Sequence, residues 1–208
     1  MSLFITFEGP DGCGKSTQCR LLAEHLQLLG HSVLLTREPG GAEISLQVRQ
    51  ILMDMKNKSM FPATEFLLFS AARAQVVREK IKPHLAAGGA VISDRYYDSS
   101  LAYQGYGHGV PLETIRTITA FATDSLIPNL TLLLDIDVER GLRRRQTSGA
   151  EWNRLDDYAL AFHKRVRQGF LELAKAEPKR WRVLNADQPM DKLQDDVRKT
   201  VMEFIGSK

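Results

Sequence analysis

The strongest constraint on the fold is a glycine-rich segment between a short apolar run and a helical pattern. Gly9–Ser16 reads GPDGCGKS and fits the pattern G-x-x-x-x-G-K-[ST] at every position. The preceding run, Leu3–Phe7 (LFITF), is short, uncharged and rich in β-forming residues, which is typical of a buried parallel strand. Leucines at helical spacing follow in Lys15–Leu29, and Gly30 ends the pattern. This order predicts a parallel sheet with the glycine-rich loop at the carboxyl end of its first strand.

The same alternation continues along the chain. Four further strands are predicted, at Ser32–Thr36, Ala90–Ser93, Leu130–Ile136 and Trp181–Leu184. Helices are predicted near Glu43–Asp54, Ala63–Ala87, Leu112–Ser125 and Leu155–Leu173, with a terminal helix opened by Pro189. Five strands separated by helices predict an α/β fold, a five-stranded parallel sheet with helices on both faces. The segment Gly141–Arg154 is basic and interrupted by glycine, so we expect a mobile surface segment there.

Composition excludes several classes of protein. The 208 residues, 43% of them hydrophobic, suit one folded domain spanning 1–208. No apolar run approaches the ~18 residues that a membrane span requires, and the start lacks the basic region of a secretory signal. A net charge of +3 is too small to predict a nucleic-acid-binding face, and two cysteines build no disulfide framework. We therefore expect a cytoplasmic protein with neither membrane nor nucleic acid as a partner.

The glycine-rich loop predicts a site for a nucleoside triphosphate. Its backbone N–H groups turn inward around phosphate oxygens, and the following helix adds partial positive charge. Lys15 would reach the β- and γ-phosphates, and the Ser16 hydroxyl would ligate Mg²⁺. Asp11 would repel a triphosphate, so we expect it to face either a second substrate or solvent. The predicted ATP-binding residues of the loop are Gly9, Pro10, Asp11, Gly12, Cys13, Gly14, Lys15, Ser16 and Thr17.

Arginines at strand ends and in loops favour a kinase with a phosphorylated acceptor. Arg37 and Arg95 follow predicted strands, and Arg143–Arg145 lie in the basic segment. Guanidinium groups offset the repulsion between two phosphate-bearing substrates. The sequence contains no N-K-x-D or T-K-x-D element for reading guanine, which counts against a GTPase. Two alternatives stay open: a kinase for another nucleotide or deoxynucleoside, and a nucleotide-dependent switch or binding protein without a small acceptor.

Five motifs together resemble the thymidylate kinase family, in its bacterial type with a basic lid. They are FEGPDGCGKSTQ (Phe7–Gln18), TREPGG (Thr36–Gly41), LLFSAARAQ (Leu67–Gln75), ISDRYYDSSLAYQG (Ile92–Gly105) and NRLDD (Asn153–Asp157). The resemblance implies the nucleoside monophosphate kinase type of P-loop NTPase fold and a homodimer. The implied reaction transfers the γ-phosphoryl of ATP to dTMP, giving dTDP and ADP for dTTP synthesis, with Mg²⁺.

The resemblance also implies how dTMP is bound. Phe69 would stack on thymine, Arg73 would donate to a thymine carbonyl, and Ser100 and Gln104 would contact the base edge. Tyr103 would pack against the deoxyribose. Each of these residues also has an ordinary interpretation, as a core aromatic or a solvated polar side chain. The implied dTMP-binding residues are Asp11, Arg37, Phe69, Arg73, Arg95, Ser100, Tyr103 and Gln104.

The charged residues of the resemblance complete the expected site. Lys15, Arg95, Asp11 and Arg154 are the implied catalytic residues, and Ser16 with Asp94 would hold Mg²⁺. A plain surface Asp–Arg pair is the alternative for Asp94 and Arg95.

The segment of residues 141–154, the lid segment from here on, would close over ATP. Some family members carry arginine where this chain has Gly12, and those without it supply basic residues from the lid. Arg144 would stack on adenine beside the NADQP loop (Asn185–Pro189), and Arg145 or Arg154 would reach the transferring phosphoryl. A solvated basic loop is the alternative.

Cys13 lies close to the N-terminus of the first predicted helix, where a thiolate is favoured. We therefore expect Cys13 to be sensitive to alkylation and oxidation, and shielded by bound ATP.

Overall fold

The computed structural model describes residues 2–149 and 152–206. The described residues form a five-stranded sheet in the order β2-β3-β1-β4-β5, and every pairing in it is parallel. The predicted α/β fold with a five-stranded parallel sheet is confirmed, and each strand lies within one residue of its predicted bounds. The strands are β1 (Leu3–Glu8), β2 (Val33–Arg37), β3 (Ala90–Asp94), β4 (Leu130–Asp135) and β5 (Trp181–Asn185).

Helices cover both faces of the sheet, because side chains alternate between the faces along each strand. Ile5 and Phe7 pack with the first and last helices on one face, whereas Phe4 packs with Val76 and Val77 on the other. The helices are α1 (Lys15–Leu28), α2 (Glu43–Met53), α3 (Pro62–Val76), α4 (Lys82–Ala86), α5 (Tyr97–Ser100), α6 (Leu112–Thr123), α7 (Val138–Thr147), α8 (Leu160–Ala176) and α9 (Met190–Gly206).

Two helical predictions need correction, and one helical region was not predicted. The helix predicted at Ala63–Ala87 is divided, because a π-helical turn at Val77–Ile81 separates α3 from α4. The helix predicted from Leu155 begins only at Leu160. The short α5 and the π-helical stretch Leu101–Gly107 that follows it were not predicted.

The lid segment is also more regular than its composition indicated. Gly141–Thr147 belongs to α7 and most of its residues are exposed, so this part of the predicted surface segment is helical. The helix forms because Asp137 caps it, accepting hydrogen bonds from the backbone N–H groups of Glu139 and Arg140. Ala150 and Glu151 lie outside the described residues.

The sheet order places the glycine-rich loop at a change of chain direction. β1 is central, with β3 on one side and β4 on the other, so a crevice opens beyond its carboxyl end. The loop after β1, the residues after β3 and the end of β2 therefore meet at one edge.

No helix within residues 2–149 and 152–206 has the length and apolarity to cross a membrane.

Candidate functional site

A cavity of about 990 Å³ opens at the carboxyl edge of the sheet. Its volume is at the upper end of the range for small-molecule sites. Most residues predicted for the site line it, and those that do so are Asp11, Gly12, Gly14, Lys15, Ser16, Thr17, Arg37, Phe69, Arg73, Asp94, Arg95, Ser100, Tyr103, Gln104 and Arg144. Four others do not line it, namely Gly9, Pro10, Cys13 and Arg154.

The phosphate loop (Gly9–Ser16) turns tightly between β1 and α1. Gly9, Gly12 and Gly14 have φ angles of 139°, 74° and 93°, which side chains disfavour. The Lys15 ammonium folds back into the loop, donating to the carbonyl oxygens of Gly9 at 3.0 Å and Pro10 at 2.8 Å. The same ammonium donates to Cys13 Sγ at 3.4 Å, so all three of these Lys15 hydrogen bonds are to atoms of the loop itself.

Ser16 and Asp94 lie in direct contact at the edge of the loop. The Ser16 hydroxyl donates to Asp94 Oδ2 at 2.5 Å. Both offer the hard oxygen ligands that Mg²⁺ prefers, and Mg²⁺ usually completes its shell with phosphates and water. These two residues therefore fit the ion that the sequence implied.

Asp11, Arg95 and Tyr103 form a closed triangle of hydrogen bonds. Arg95 Nη2 donates to Asp11 Oδ1 at 2.6 Å and to the Tyr103 hydroxyl at 3.0 Å, and that hydroxyl donates to Asp11 Oδ2 at 2.7 Å. Burial alone would raise the pKa of Asp11, but the charges of Arg95 and Lys15 and the Tyr103 hydrogen bond lower it to about 2. Asp11 is therefore a fixed anion that orients Arg95.

Behind this triangle lies Glu8, which the sequence analysis missed. Its carboxylate accepts from the backbone N–H of Tyr96 at 2.8 Å and from the Ser99 hydroxyl at 2.5 Å. The Arg95 guanidinium donates in turn to Ser99 Oγ at 3.0 Å. Burial, reinforced by the charge of Asp98, raises the pKa of Glu8 to about 8. The available signal was a carboxylate placed directly between an uncharged β-rich run and the glycine-rich loop.

Phe69, Arg73, Ser100 and Gln104 line the cavity from α3, α5 and the π-helical stretch Leu101–Gly107. Phe69 is half-buried and lines the cavity, whereas Phe66 is the core phenylalanine of α3. Arg73 is buried, so it is not a solvated helix arginine. Its Nε donates to Glu38 Oε2 at 2.6 Å and its Nη1 to Ser100 Oγ at 3.1 Å.

Arg49 on α2 joins the arginines predicted for the cavity, and sequence reasoning missed it. Burial lowers the pKa of Arg49, and the positive charges of Arg37, Arg145 and Arg95 lower it further, against the opposite effect of Asp94. Guanidinium groups whose positive charges act on one another in this way favour an anion between them. The available signal was the lack of an acidic residue three or four positions away on the helix.

Two arginines of the lid segment face the cavity. Arg144 donates to the carbonyl oxygen of Ala186 at 2.9 Å and so contacts the loop after β5 that resembled an adenine-lining loop. Arg145 forms a two-point contact with Asp156, from Nε at 3.1 Å and Nη2 at 2.7 Å.

Arg154 is placed differently, and the structure does not bring it to the cavity. It is 3% exposed. Its guanidinium donates to the Leu52 carbonyl at 2.9 Å, to the Tyr158 hydroxyl at 2.8 Å and to Glu65 Oε2 at 2.5 Å. A contact between Arg154 and a transferring phosphoryl would require these hydrogen bonds to break.

Gly12 and Gly141 bring the lid helix α7 directly against the phosphate loop. A Cβ atom at Gly12 would lie 1.9 Å from the Gly141 carbonyl oxygen, and one at Gly141 would lie 2.5 Å from the Asp11 carbonyl oxygen. The closed contact therefore leaves no space for a side chain at residue 12.

The expectation that Cys13 is reactive is wrong. Cys13 is 1% exposed, and burial raises the pKa of its thiol despite the nearby charges of Lys15 and Arg95. The position close to the start of α1 does not compensate for this desolvation.

Comparison with known proteins decides the family. The family model described as Thymidylate kinase matches residues 7–197. The chain belongs to the thymidylate kinase family. It is 49% identical to a thymidylate kinase from Roseiflexus sp. (strain RS-1), over 100% of this chain and 96% of the relative. It is 50% identical to a thymidylate kinase from Deinococcus radiodurans, over 97% of each.

The fold agrees with this family. A crystal structure of thymidylate kinase from Ehrlichia chaffeensis superposes with a TM-score of 0.78 at 35% identity, covering 96% of this chain and 98% of that one. The resemblance inferred from five short motifs is thus confirmed for the whole chain.

Proposed function

We propose that the chain is an enzyme that transfers the γ-phosphoryl group of ATP to dTMP, giving dTDP and ADP. The observation that carries this proposal is the hydrogen-bonded triangle of Asp11, Arg95 and Tyr103, which joins the phosphate loop to Arg95 and Tyr103 in one cavity that extends to Phe69 and Arg73. A nucleotide switch needs no cavity that extends beyond its own nucleotide.

ATP would lie along the phosphate loop. The loop N–H groups and the N-terminus of α1 would bind the phosphates, and Lys15 would exchange the carbonyls of Gly9 and Pro10 for phosphate oxygens. Ser16 and Asp94 would hold Mg²⁺, which when bound neutralises charge on the β- and γ-phosphates. Arg144 would cover the adenine beside the loop after β5.

dTMP would lie across the cavity from ATP. Phe69 would stack on the base, Arg73 and Gln104 would contact its edge, and Tyr103 would close the space beside the sugar C2′. Arg95 and Arg37 would bind the acceptor phosphate, with Arg49 adding charge. Since the acceptor phosphate is itself a nucleophile at neutral pH, no general base is required.

The chain's part in the reaction is positioning and charge neutralisation. Asp11 holds Arg95 directly and Glu8 holds it through Ser99, so that its guanidinium would face the acceptor phosphate. Of the two lid arginines considered for the transferring phosphoryl, Arg145 lines the cavity and Arg154 is buried in a hydrogen-bond network, which favours Arg145. Closing of the lid segment would exclude water and prevent hydrolysis of ATP.

A coupled ADP-release assay with a panel of nucleoside monophosphates tests the proposal. We expect turnover with dTMP above all other acceptors. Turnover with a different acceptor alone would identify a kinase of another specificity, and ATP hydrolysis without any acceptor dependence would favour a switch. Replacing Lys15 with alanine should abolish turnover while the chain stays folded by circular dichroism.

We also propose that the enzyme is cytoplasmic. We further propose that it is a homodimer, in which two copies pack through the outer faces of α2, α3 and α6. Large apolar side chains are exposed on these helices: Ile44 at 52%, Ile51 at 48%, Leu67 at 53% and Phe121 at 79%. Light scattering should give twice the chain mass, and Leu67→Asp should give the monomer mass. A monomer mass for the unmodified chain contradicts this arrangement.

A further inference from the structure

Glu65 is a buried carboxylate directly behind the acceptor end of the cavity. It lies in the first turn of α3, is 1% exposed and does not itself line the cavity. Its Oε2 accepts from Arg154 Nη2 at 2.5 Å and from the Tyr158 hydroxyl at 2.8 Å. Its Oε1 accepts from Gln104 Nε2 at 2.8 Å, and Gln104 does line the cavity.

Glu65 is ionised, so it can only accept hydrogen bonds. Burial alone would raise its pKa, but His108 and Gln104 beside it and the charge of Arg154 lower the pKa to about 2. A carboxylate without a proton has no donor to offer, whereas the amide of Gln104 has a donor end and an acceptor end. The amide must therefore direct its NH₂ group toward Glu65, which leaves its carbonyl oxygen on the opposite side.

The orientation of this amide determines which base edge the cavity fits. A carbonyl oxygen facing the cavity complements an N–H donor at N3 of a pyrimidine, as in thymine and uracil. An NH₂ group in its place would complement the acceptor N3 of cytosine. The two orientations have the same shape, so hydrogen bonding alone distinguishes the bases, and an unpaired buried group costs about 1–3 kcal/mol.

We propose that Glu65 is a positioning residue that selects a pyrimidine with an N3–H donor, by holding the Gln104 amide in one orientation. The proposal rests on the proposed function, because it assigns the specificity of the same acceptor pocket. Glu65 would act without touching the substrate.

Replacing Glu65 with glutamine tests this directly. The oxygen of the new side chain should turn to Arg154 and Tyr158, since Arg154 can only donate, and its NH₂ group should turn to Gln104. Gln104 should then flip and present its own NH₂ group to the cavity. We expect the ratio of kcat/KM for dTMP to kcat/KM for dCMP to fall roughly 10- to 100-fold in E65Q. The ratio of dTMP to dUMP should stay within threefold, because both bases carry the N3–H donor.

Tyr158→Phe is the matched control. It removes a hydrogen bond from the other oxygen of Glu65 and leaves the contact with Gln104 intact, so the dTMP to dCMP ratio should not change. A ratio in E65Q that stays within threefold of the unmodified chain overturns the proposal, whatever the loss of stability. If E65Q does not fold, Gln104→Ala removes the amide that Glu65 is proposed to orient. A tenfold or larger fall of the dTMP to dCMP ratio in this variant supports the proposal, and an unchanged ratio overturns it.

Failure of the proposed function is distinguishable from failure of this inference. An unmodified chain that does not phosphorylate dTMP contradicts the function itself. An unmodified chain that prefers dTMP to dCMP, with an unchanged preference in E65Q, contradicts only the role of Glu65.

Discussion

Arg95 has a left-handed backbone conformation, with a φ angle of 71°. A non-glycine residue in this region costs on the order of 1–3 kcal/mol and persists only where its surroundings hold it. Here the backbone N–H of Arg95 donates to the Phe7 carbonyl at 2.9 Å, and Glu8 holds the following residues through Tyr96 and Ser99. The conformation turns the guanidinium toward the phosphate loop, so the strain is part of how the site is built.

Because of Glu8, acceptor binding should weaken as the pH becomes alkaline. The pKa of Glu8 in the folded chain lies above the ordinary value, so the folded chain favours the protonated acid. The contribution of Glu8 to the free energy of unfolding is therefore lost as the pH rises from about 4.5 to about 8. Above pH 8 a charged Glu8 competes with the acceptor phosphate for Arg95. We expect KM for dTMP to rise severalfold between pH 7 and pH 9 and to stay nearly flat in Glu8→Gln, measured by steady-state kinetics. A parallel rise in both proteins contradicts this role, and Glu79→Gln on the surface serves as the control.

Arg154 is expected to contribute to stability through Glu65. Alanine at residue 154 leaves a buried carboxylate without its cation, which costs about 3–5 kcal/mol. Urea unfolding should show a loss of this size, whereas Arg20→Ala, which breaks an exposed pair on α1, should change the free energy of unfolding by less than about 1 kcal/mol. A loss below 1 kcal/mol in Arg154→Ala would show that the network opens readily and would support a direct role of Arg154 at the phosphoryl group.

At the scale of elements, the sequence predicted the strands well and the lid poorly. Short apolar runs bounded by glycine or proline define buried strands, because both faces of the central strands are covered. The π-helical stretch Leu101–Gly107 carries no such period, and its form depends on packing against α8. The helix α7 was not predicted, because its basic residues and its glycine are typical of a surface loop. It forms because Asp137 caps it and because it packs against the phosphate loop.

The contact between α7 and the phosphate loop predicts a severe effect of Gly12→Ala. The new Cβ would overlap the Gly141 carbonyl at 1.9 Å, at a φ of 74° that disfavours any side chain. We expect α7 to move away and KM for ATP to rise at least about tenfold, since each 1.4 kcal/mol of lost binding is tenfold. Gly109→Ala is the matched control, because Gly109 has a φ of 79° with no atom within 4 Å of its Cβ position. Equal effects of the two substitutions would show that backbone strain alone is responsible.

At the scale of the whole molecule, the parallel sheet explains which site residues were predictable. Carboxyl ends of parallel strands meet at one edge, so Arg37, Asp94 and Arg95 were placed together from strand positions alone. Arg49 was not, because it reaches the cavity from α2 and not from a strand end. Glu8 and Glu65 were not, because they do not line the cavity and act on it through the residues they bond. A buried carboxylate reveals its role only when its partners are known, and these partners lie far apart in the sequence.

The arginines around the cavity predict opposite effects on stability and on binding. Burial is the largest cause of the lowered pKa of Arg49, and the positive charges of Arg37, Arg145 and Arg95 lower it further, against Asp94. These arginines therefore repel Arg49 when no anion is bound. Removing one charge with Arg49→Gln should therefore raise the free energy of unfolding without ligand by about 1 kcal/mol, and weaken dTMP binding roughly 10-fold. Urea unfolding and isothermal titration calorimetry measure the two effects. Arg116→Gln, an exposed arginine on α6, should change neither quantity. A loss of both stability and binding in Arg49→Gln would mean that Arg49 supports the fold. A gain of stability with a loss of binding would show that the positive charge at Arg49 serves to bind the anion.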